Sequence, residues 1–153
     1  MRSRTAKWFV CIVKYKKVQE DGLQKRVTEQ YVVDAMSFSE AEARIMDEMS
    51  HYGVGMAFEI ANINPAPFGE VFFTDWDASA DKWYKAKLQF ITIDEMTERE
   101  KRSNVTYLVQ AASLEGARKN IDEVMRGTMF DYVTVGVNET PIVGVFEHAA
   151  AED

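Results

Sequence analysis

The sequence predicts an α+β fold made by internal duplication of a ββαββ unit, with antiparallel sheets, one helix per half and a pseudo-twofold relation between the halves. Residues of the same type recur about 75 positions apart along the 153-residue chain. In each half, period-two strand patterns surround one pattern of helical period. The length suits two such halves that together form one compact domain.

The recurring residues are of structural types, and they set the predicted boundaries. Matched pairs in the two halves are Trp8 and Trp83, Tyr31 and Tyr107, Ser37 and Ser113, Ile45 and Ile121, Met49 and Met125, Pro67 and Pro141, and Phe72 and Phe146. The predicted segments are a flexible N-terminus at 1–6, a first repeat at 7–73, an acidic linker at 74–81, a second repeat at 82–147 and a flexible tail at 148–153.

Each half opens on an alternating strand whose apolar face is expected in the core. The core-facing residues are Phe9, Cys11, Val13 and Tyr15 in the first half and Tyr84, Ala86, Leu88 and Phe90 in the second. On the other face, the first half has Val10 and Ile12 at the positions where the second half has Lys85 and Lys87. This difference favours a first strand that is buried on both faces, against the other half or a second subunit.

The remaining elements follow from local signals. Asp21-Gly22 predicts a hairpin turn. Second strands are expected at 25–36 and 101–112, where solvent-facing positions explain Asp34 and its counterpart Gln110 at least as well as a catalytic acid at Asp34 does. In the first half, either Ser37 or Ser39, each followed by a glutamate three residues later, predicts a helix start, and Gly53 and Gly127 are candidate helix ends. Two further strands are expected to close each half, 57–63 with 68–73 and 131–138 with 141–146.

No catalytic, cofactor-binding or metal-binding residue is predicted. The chain has two histidines, His51 and His148, and a single cysteine, Cys11, which is interpreted as a buried, inert thiol. The acidic string 75–81 resembles the start of a calcium loop, but the required glycine and the closing glutamate are missing. These observations give an enzyme no support, although they do not exclude one, and they imply no cofactor.

Composition indicates a cytoplasmic protein without a membrane span. The chain is 46% apolar, has no apolar run of helix-spanning length and contains one cysteine, so no intramolecular disulfide forms. Its net charge is −7, which disfavours nonspecific binding of the whole molecule to nucleic acid or anionic membranes.

Charge is unevenly distributed along the chain. Residues 1–26 hold eight cations against two carboxylates, a local charge of +6, and the remainder carries −13. Cations interleaved with aromatic residues are typical of single-strand nucleic-acid binding. The candidate nucleic-acid or partner contacts are Lys14, Lys16, Lys17, Lys25, Arg26 and Trp76. The alternative is a solvated strand edge on which lysines prevent aggregation.

Three strings carry a resemblance to a known family: Trp8-Phe-x-Cys-x-Val-x-Tyr, Lys25-x-Val-Thr-Glu-x-Tyr-x-Val-Asp-Ala and Ser39-Glu-Ala-Glu-Ala-Arg-Ile. Together with 81–88 and 127–133 they resemble an uncharacterised domain-of-unknown-function family of gut bacterial genomes and their phages. The resemblance implies a phage or mobile-element context and transfers no activity or site residue.

The sequence therefore predicts a nonenzymatic binding or interaction protein of unknown specificity. One alternative is an accessory protein that binds single-stranded nucleic acid through the basic N-terminal hairpin. Another is a protein that sequesters a small phosphorylated ligand. A protein partner or a homodimer is expected, the latter because Val10 and Ile12 occupy the second face of the first strand.

Overall fold

The computed structural model describes residues 1–51 and 57–148, which form a mixed α+β structure. Nine strands and two helices are present within these ranges. In chain order they are β1 Arg2–Thr5, β2 Trp8–Val18, β3 Gln24–Asp34, α1 Phe38–His51, β4 Phe58–Pro65, β5 Glu70–Phe73, β6 Lys82–Ile93, β7 Glu100–Ala111, α2 Leu114–Arg126, β8 Asp131–Glu139 and β9 Ile142–Phe146.

The strands form two sheets, each within a separate compact unit. Unit 1 consists of Met1–Thr5 and Pro67–Thr140 and contains a five-stranded sheet in the order β1-β5-β7-β6-β8. Unit 2 consists of Ala6–Ala66 and the residues from Pro141, and its four-stranded sheet has the order β4-β2-β3-β9. Each sheet is antiparallel except for one parallel pair, β5 with β7 and β3 with β9.

The expected pairing of the last two strands within each half is wrong. Strand β5 follows β4 in sequence but pairs with β7, and β9 follows β8 but pairs with β3. The chain passes from one unit to the other at Pro67 and at Pro141. Each proline directly follows a residue whose N–H donates to a strand: Ala66 donates to the Trp8 carbonyl of β2, and Thr140 donates to the Trp83 carbonyl of β6. Proline cannot donate the next ladder bond, so the pairing ends there and the chain leaves the sheet.

The two sheets share a register. Trp8 lies opposite Asp34 as Trp83 lies opposite Gln110. The parallel pairs correspond as well, with Tyr31 opposite Gly144 and Tyr107 opposite Glu70. The register also shifts at equivalent places: between Ile12 and Val13 where β2 pairs with β4, and between Lys87 and Leu88 where β6 pairs with β8. Matching irregularities of this kind indicate one shared plan of strand pairing.

The cores lie where the alternating patterns predict. Fully buried residues of β2 and β6 point to the helix side of each sheet. Each helix contributes three buried residues at four-residue spacing, Ala41, Ile45 and Met49 in α1 and Ala117, Ile121 and Met125 in α2. This spacing keeps one helical face on the sheet.

Serines begin both helices, and the serine start was predicted for the first of them. The Ser37 hydroxyl accepts a hydrogen bond from the Glu40 N–H at 3.1 Å, and the Ser113 hydroxyl accepts from the Gly116 N–H at 3.0 Å. Each cap satisfies an N–H that the first helical turn leaves without a partner. Gly127 ends α2, whereas Gly53 lies outside the described residues.

Three further expectations concern segments outside the repeats. Residues 2–5, expected to be flexible, form β1 on the edge of β5, and Arg2 Nε lies 2.5 Å from Asp75. The linker 74–81 is tied to unit 1, because the Gln110 side chain bonds the Thr74 N–H and the Ala80 carbonyl, each at 2.9 Å. Of the expected flexible tail, residues 149–153 lie outside the described residues.

No helix in the described parts of the chain combines the length and the apolar character needed to cross a membrane.

Candidate anion-binding site

The β2–β3 hairpin of unit 2 places like charges directly opposite each other. Its turn, at Gly22 with φ +83°, fixes the register that pairs Lys16 with Arg26 and Lys17 with Lys25. Directly opposite side chains of an antiparallel pair point to the same face, about 5 Å apart at their Cβ atoms. Cations at such positions repel each other, so both pairs reduce the stability of the hairpin.

A pocket of about 530 Å³ lies along the first of these pairs. Its lining combines cations with polar and apolar groups: Lys14, Tyr15, Lys16, Arg26, Val27, Thr28, Ala57, Phe58 and Glu59. Three of the six predicted contact residues, Lys14, Lys16 and Arg26, therefore come together.

The other predicted contact residues do not line the pocket. Lys17 and Lys25 are exposed, and their register places them on the opposite face of the hairpin from Lys16 and Arg26. Trp76 belongs to unit 1, where it is 61% exposed. The predicted set thus divides into a pocket group, a neighbouring lysine pair and a separate tryptophan.

The pocket cations keep their charge available for a ligand. None of Lys14, Lys16 and Arg26 forms an ion pair with any residue of 1–51 or 57–148. Glu59 lies opposite Lys14 in the β2–β4 register, but no ion pair joins them. An anion in the pocket would meet three exposed cations and one carboxylate.

Aromatic side chains of the pocket belong to the core side of the sheet. Tyr15 and Phe58 are half-buried and pack against the unit 2 core. The Tyr15 phenol donates to Glu29 at 2.5 Å, and burial together with this carboxylate raises its pKa to about 12. Rings held in this way cannot move out to stack on successive bases, which limits a single-strand binding mode.

The corresponding hairpin of unit 1 lacks the like-charge pairs. The β6–β7 register places Ile91 opposite Arg102 and Thr92 opposite Lys101. Arg102 is also compensated by Glu100, whose carboxylate lies 3.3 Å from its Nε. The cationic hairpin is therefore a property of unit 2 and not of the shared strand plan.

The groups that could have carried catalysis are engaged elsewhere. The Cys11 thiol is fully buried, and burial raises its pKa to about 12, so little nucleophilic thiolate forms at neutral pH. In contrast to the solvent-facing interpretation, Asp34 is buried and bonds His148, whose other ring nitrogen faces Glu48 at 3.5 Å. No cluster of three metal-ligating side chains occurs among the described residues.

Sequence reasoning missed part of the pocket. The Asp21-Gly22 signal locates the turn but does not give the Lys16–Arg26 register, because a two-residue loop at 21–22 would place Lys16 opposite Val27, whereas the connection between the strands spans 19–23. Phe58 and Glu59 come from β4, more than 30 residues later in the chain, and no local signal specifies that β4 pairs with this part of β2.

Comparison with known proteins gives one match. A family model described as "Domain of unknown function (DUF4494)" matches residues 7–148. No curated protein and no solved structure matches the chain.

Proposed function

Because the chain belongs to the family described as Domain of unknown function (DUF4494), a description that names no activity, we propose its function from the geometry of the basic pocket. The protein is a nonenzymatic binding protein, and its unit 2 pocket holds a phosphate group of a small ligand. Lys16 and Arg26 contact the phosphate, with Lys14 beside them.

One observation carries this proposal: Lys16 and Arg26 lie directly opposite each other without a carboxylate partner among the described residues. Repulsion between the two cations lowers the stability of the protein when no ligand is bound. A bound dianion placed between the two charges would remove that repulsion. An arginine supplies a fork of donors that suits phosphate oxygens, and a lysine adds a compact charge.

The dimensions of the pocket fit a small molecule. A volume of about 530 Å³ falls within the range of small-ligand sites. The cations occupy one face of the strands, and Tyr15, Val27 and Phe58 supply less polar surface. These less polar side chains alternate with the cations along the strands and lie on the core-side face, so the cationic face itself matches the phosphate group of the ligand.

The test is calorimetric titration and thermal unfolding with pyrophosphate and with nucleoside mono- and diphosphates. We expect binding that raises Tm in the wild-type protein and is lost in the double variant Lys16→Gln/Arg26→Gln. The matched control is Lys101→Gln/Arg102→Gln in the equivalent hairpin of unit 1, which should bind as the wild type does. No binding of any of these phosphates, or equal loss in both double variants, would refute the pocket.

A second candidate is a single-stranded nucleic acid, favoured by the Lys17–Lys25 pair that continues the positive charge beyond the pocket. If the three pocket cations and the Lys17–Lys25 pair all contacted phosphates, the logarithm of the affinity would fall with the logarithm of the salt concentration at a slope of about −3.5. Anisotropy of a labelled single-stranded oligonucleotide at several salt concentrations measures this slope. Lys17→Gln/Lys25→Gln should flatten it for a strand and should leave binding of a small phosphate unchanged.

We also propose that the two halves arose by duplication of one ββαββ unit. The common element order, the matching strand registers and the serine caps support this origin. The twofold relation between the copies stays a prediction. So do a cytoplasmic location, a phage or mobile-element context, and a homodimer formed through Val10 and Ile12, which are half-buried in the single chain.

A further inference from the structure

A second row of polar side chains lies beside the Lys16–Arg26 pair on the same face of the unit 2 sheet. Lys14 lies opposite Thr28 in the β2–β3 register and opposite Glu59 in the β2–β4 register. Directly opposite residues share a face, so a hydroxyl, an ammonium and a carboxylate lie side by side across β3, β2 and β4. Neighbouring strands are about 4.8 Å apart, and residues two apart along a strand are separated by about 7 Å, which is the spacing of the two rows.

The groups of this second row are available to a ligand. Lys14, Thr28 and Glu59 are exposed, and all three line the pocket. Within residues 1–51 and 57–148, no side-chain hydrogen bond or ion pair joins any of them to each other or to another residue. Each group therefore keeps its full hydrogen-bonding capacity: the ammonium donates, the carboxylate accepts, and the hydroxyl does both.

The equivalent row of unit 1 is occupied by bonds between its own side chains. Gln89 takes the place of Lys14, counted from the tryptophan near the start of each strand. It lies opposite Asn104 in the β6–β7 register and opposite Val133 in the β6–β8 register. The Gln89 amide donates to Asn104 Oδ1 at 3.2 Å and accepts from Arg102 at 3.4 Å. Since valine forms no side-chain hydrogen bond, the open row of donors and acceptors is a property of unit 2.

The charges of the unit 2 row favour a neutral ligand body. Lys14 and Glu59 are neighbours of opposite sign, so the row has no net charge. A ligand ammonium would approach Glu59 but would also face Lys14, and a ligand carboxylate would meet the reverse arrangement. A hydroxyl group both donates and accepts, so it can donate to Glu59 while it accepts from Lys14. A body with several hydroxyl groups therefore matches the row.

We propose that the basic pocket binds a phosphorylated sugar. This inference rests on the proposed phosphate site: Lys16 and Arg26 hold the phosphate of the sugar. Its hydroxyl groups bind to the row formed by Lys14, Thr28 and Glu59. The far hydroxyl groups of a monosaccharide phosphate lie at about the row-to-row distance from its phosphorus, so one molecule reaches both rows.

Glu59 is the specificity-determining residue of this arrangement. A carboxylate close to a bound phosphate repels it, and this repulsion weakens the binding of every phosphate. A sugar compensates for the repulsion because its hydroxyl groups donate hydrogen bonds to the carboxylate. Phosphates without hydroxyl groups receive no such compensation, so Glu59 selects against them.

The test is calorimetric titration of the full chain with ribose 5-phosphate, propyl phosphate and phosphoethanolamine. All are phosphate monoesters, and their bodies carry hydroxyl groups, an alkyl chain and an ammonium, respectively. The wild type should bind ribose 5-phosphate about tenfold more tightly than either of the others, the factor expected of a hydrogen bond to a charged group. Equal affinities, or tightest binding of phosphoethanolamine, would overturn the sugar proposal and leave the phosphate site standing. Absence of binding by all of them would overturn both.

Variants separate recognition of the hydroxyl groups from binding of the phosphate. Glu59→Gln should weaken ribose 5-phosphate about tenfold, whereas propyl phosphate should bind at least as tightly as to the wild type. Lys16→Gln/Arg26→Gln should abolish binding of both esters. The matched control is Glu42→Gln, which makes the same change of charge at an exposed position of α1 outside this pocket and should keep the preference for the sugar. If Glu59→Gln keeps the preference, or if Glu42→Gln loses it equally, the proposal is wrong.

Discussion

Tyr15 and Tyr31 hold the two carboxylate oxygens of Glu29 from the core side of the unit 2 sheet. The Tyr15 phenol donates to one oxygen at 2.5 Å, and the Tyr31 phenol donates to the other. In the strand register, Glu29 lies opposite Val13, on the other face from Lys16 and Arg26. Glu29 is thus held on the core side by the two tyrosines, and its carboxylate does not neutralise Lys16 or Arg26.

The first prediction concerns the ionisation of Tyr15. Burial is the larger cause of its pKa of about 12, and the hydrogen bond to Glu29 and the charge of that carboxylate add to it. Glu29→Gln should therefore lower the pKa only part of the way to the ordinary value of about 10. Ring-carbon chemical shifts of labelled tyrosine measure this change, and an unchanged midpoint would contradict it. The Tyr132 midpoint is the control, because its own raised pKa depends on burial and Asp122.

The raised pKa of Tyr15 also determines how the stability of the protein changes with pH. An unfolded tyrosine loses its proton near pH 10, whereas Tyr15 in the folded protein keeps its proton until about pH 12. The contribution of Tyr15 is complete below about pH 10 and is lost as pH rises further. Urea midpoints of the wild type should fall between these pH values more steeply than those of Tyr15→Phe.

The second prediction concerns Cys11, which the strand pattern placed in the core. Because the thiol is fully buried and its pKa is raised to about 12, a thiol reagent should label it only when unit 2 opens. Cys11→Ser should destabilise the protein by about 1 to 3 kcal/mol more than Cys11→Ala, since a buried hydroxyl needs a hydrogen-bond partner. Urea unfolding of the two variants measures the difference, and equal midpoints would contradict a dry environment.

Features governed by neighbouring residues could be predicted from the sequence. The alternation of Phe9, Cys11 and Val13 identified the buried face of β2, and Asp21-Gly22 located the turn at which Gly22 takes a positive φ. Serine at the start of the first helix was recognised because its partner N–H lies three residues away. Such signals lie within a few residues of the features that they specify, and here the tertiary packing agrees with them.

Features decided by distant partners could not be predicted. The short apolar strand Glu70–Phe73 suits either sheet by its pattern, and its pairing with β7 depends on which edge is open after folding. Asp34 looked solvent-facing because its partner His148 lies 114 residues away in the chain. The pocket cations followed from composition, but the contribution of β4 required the β2–β4 register.

The third prediction uses the contrast between the two hairpins. Arg26→Glu places a carboxylate opposite Lys16 and should stabilise the protein by about 0.5 kcal/mol, while it abolishes phosphate binding. Arg102→Glu in unit 1 should instead destabilise, because Arg102 lies opposite Ile91 and contacts Glu100. Urea unfolding at low and high salt measures both, and the two effects should shrink as salt increases. The same sign in both variants would contradict the charge arrangement.

The fourth prediction tests the strand exchange. Phe72 is supplied by the first half of the chain, but it is 5% exposed in the unit 1 core, with its ring centre 5.0 Å from that of Tyr107. Phe72→Ala should cost about 3 to 5 kcal/mol and should accelerate amide exchange in β6 and β7. Val33→Ala, in the fully buried part of β3, is the control and should accelerate exchange in β2 and β3 first. If Phe72→Ala loosened β2 and β4 before β6 and β7, β5 would belong to the hairpin that sequence alone suggested.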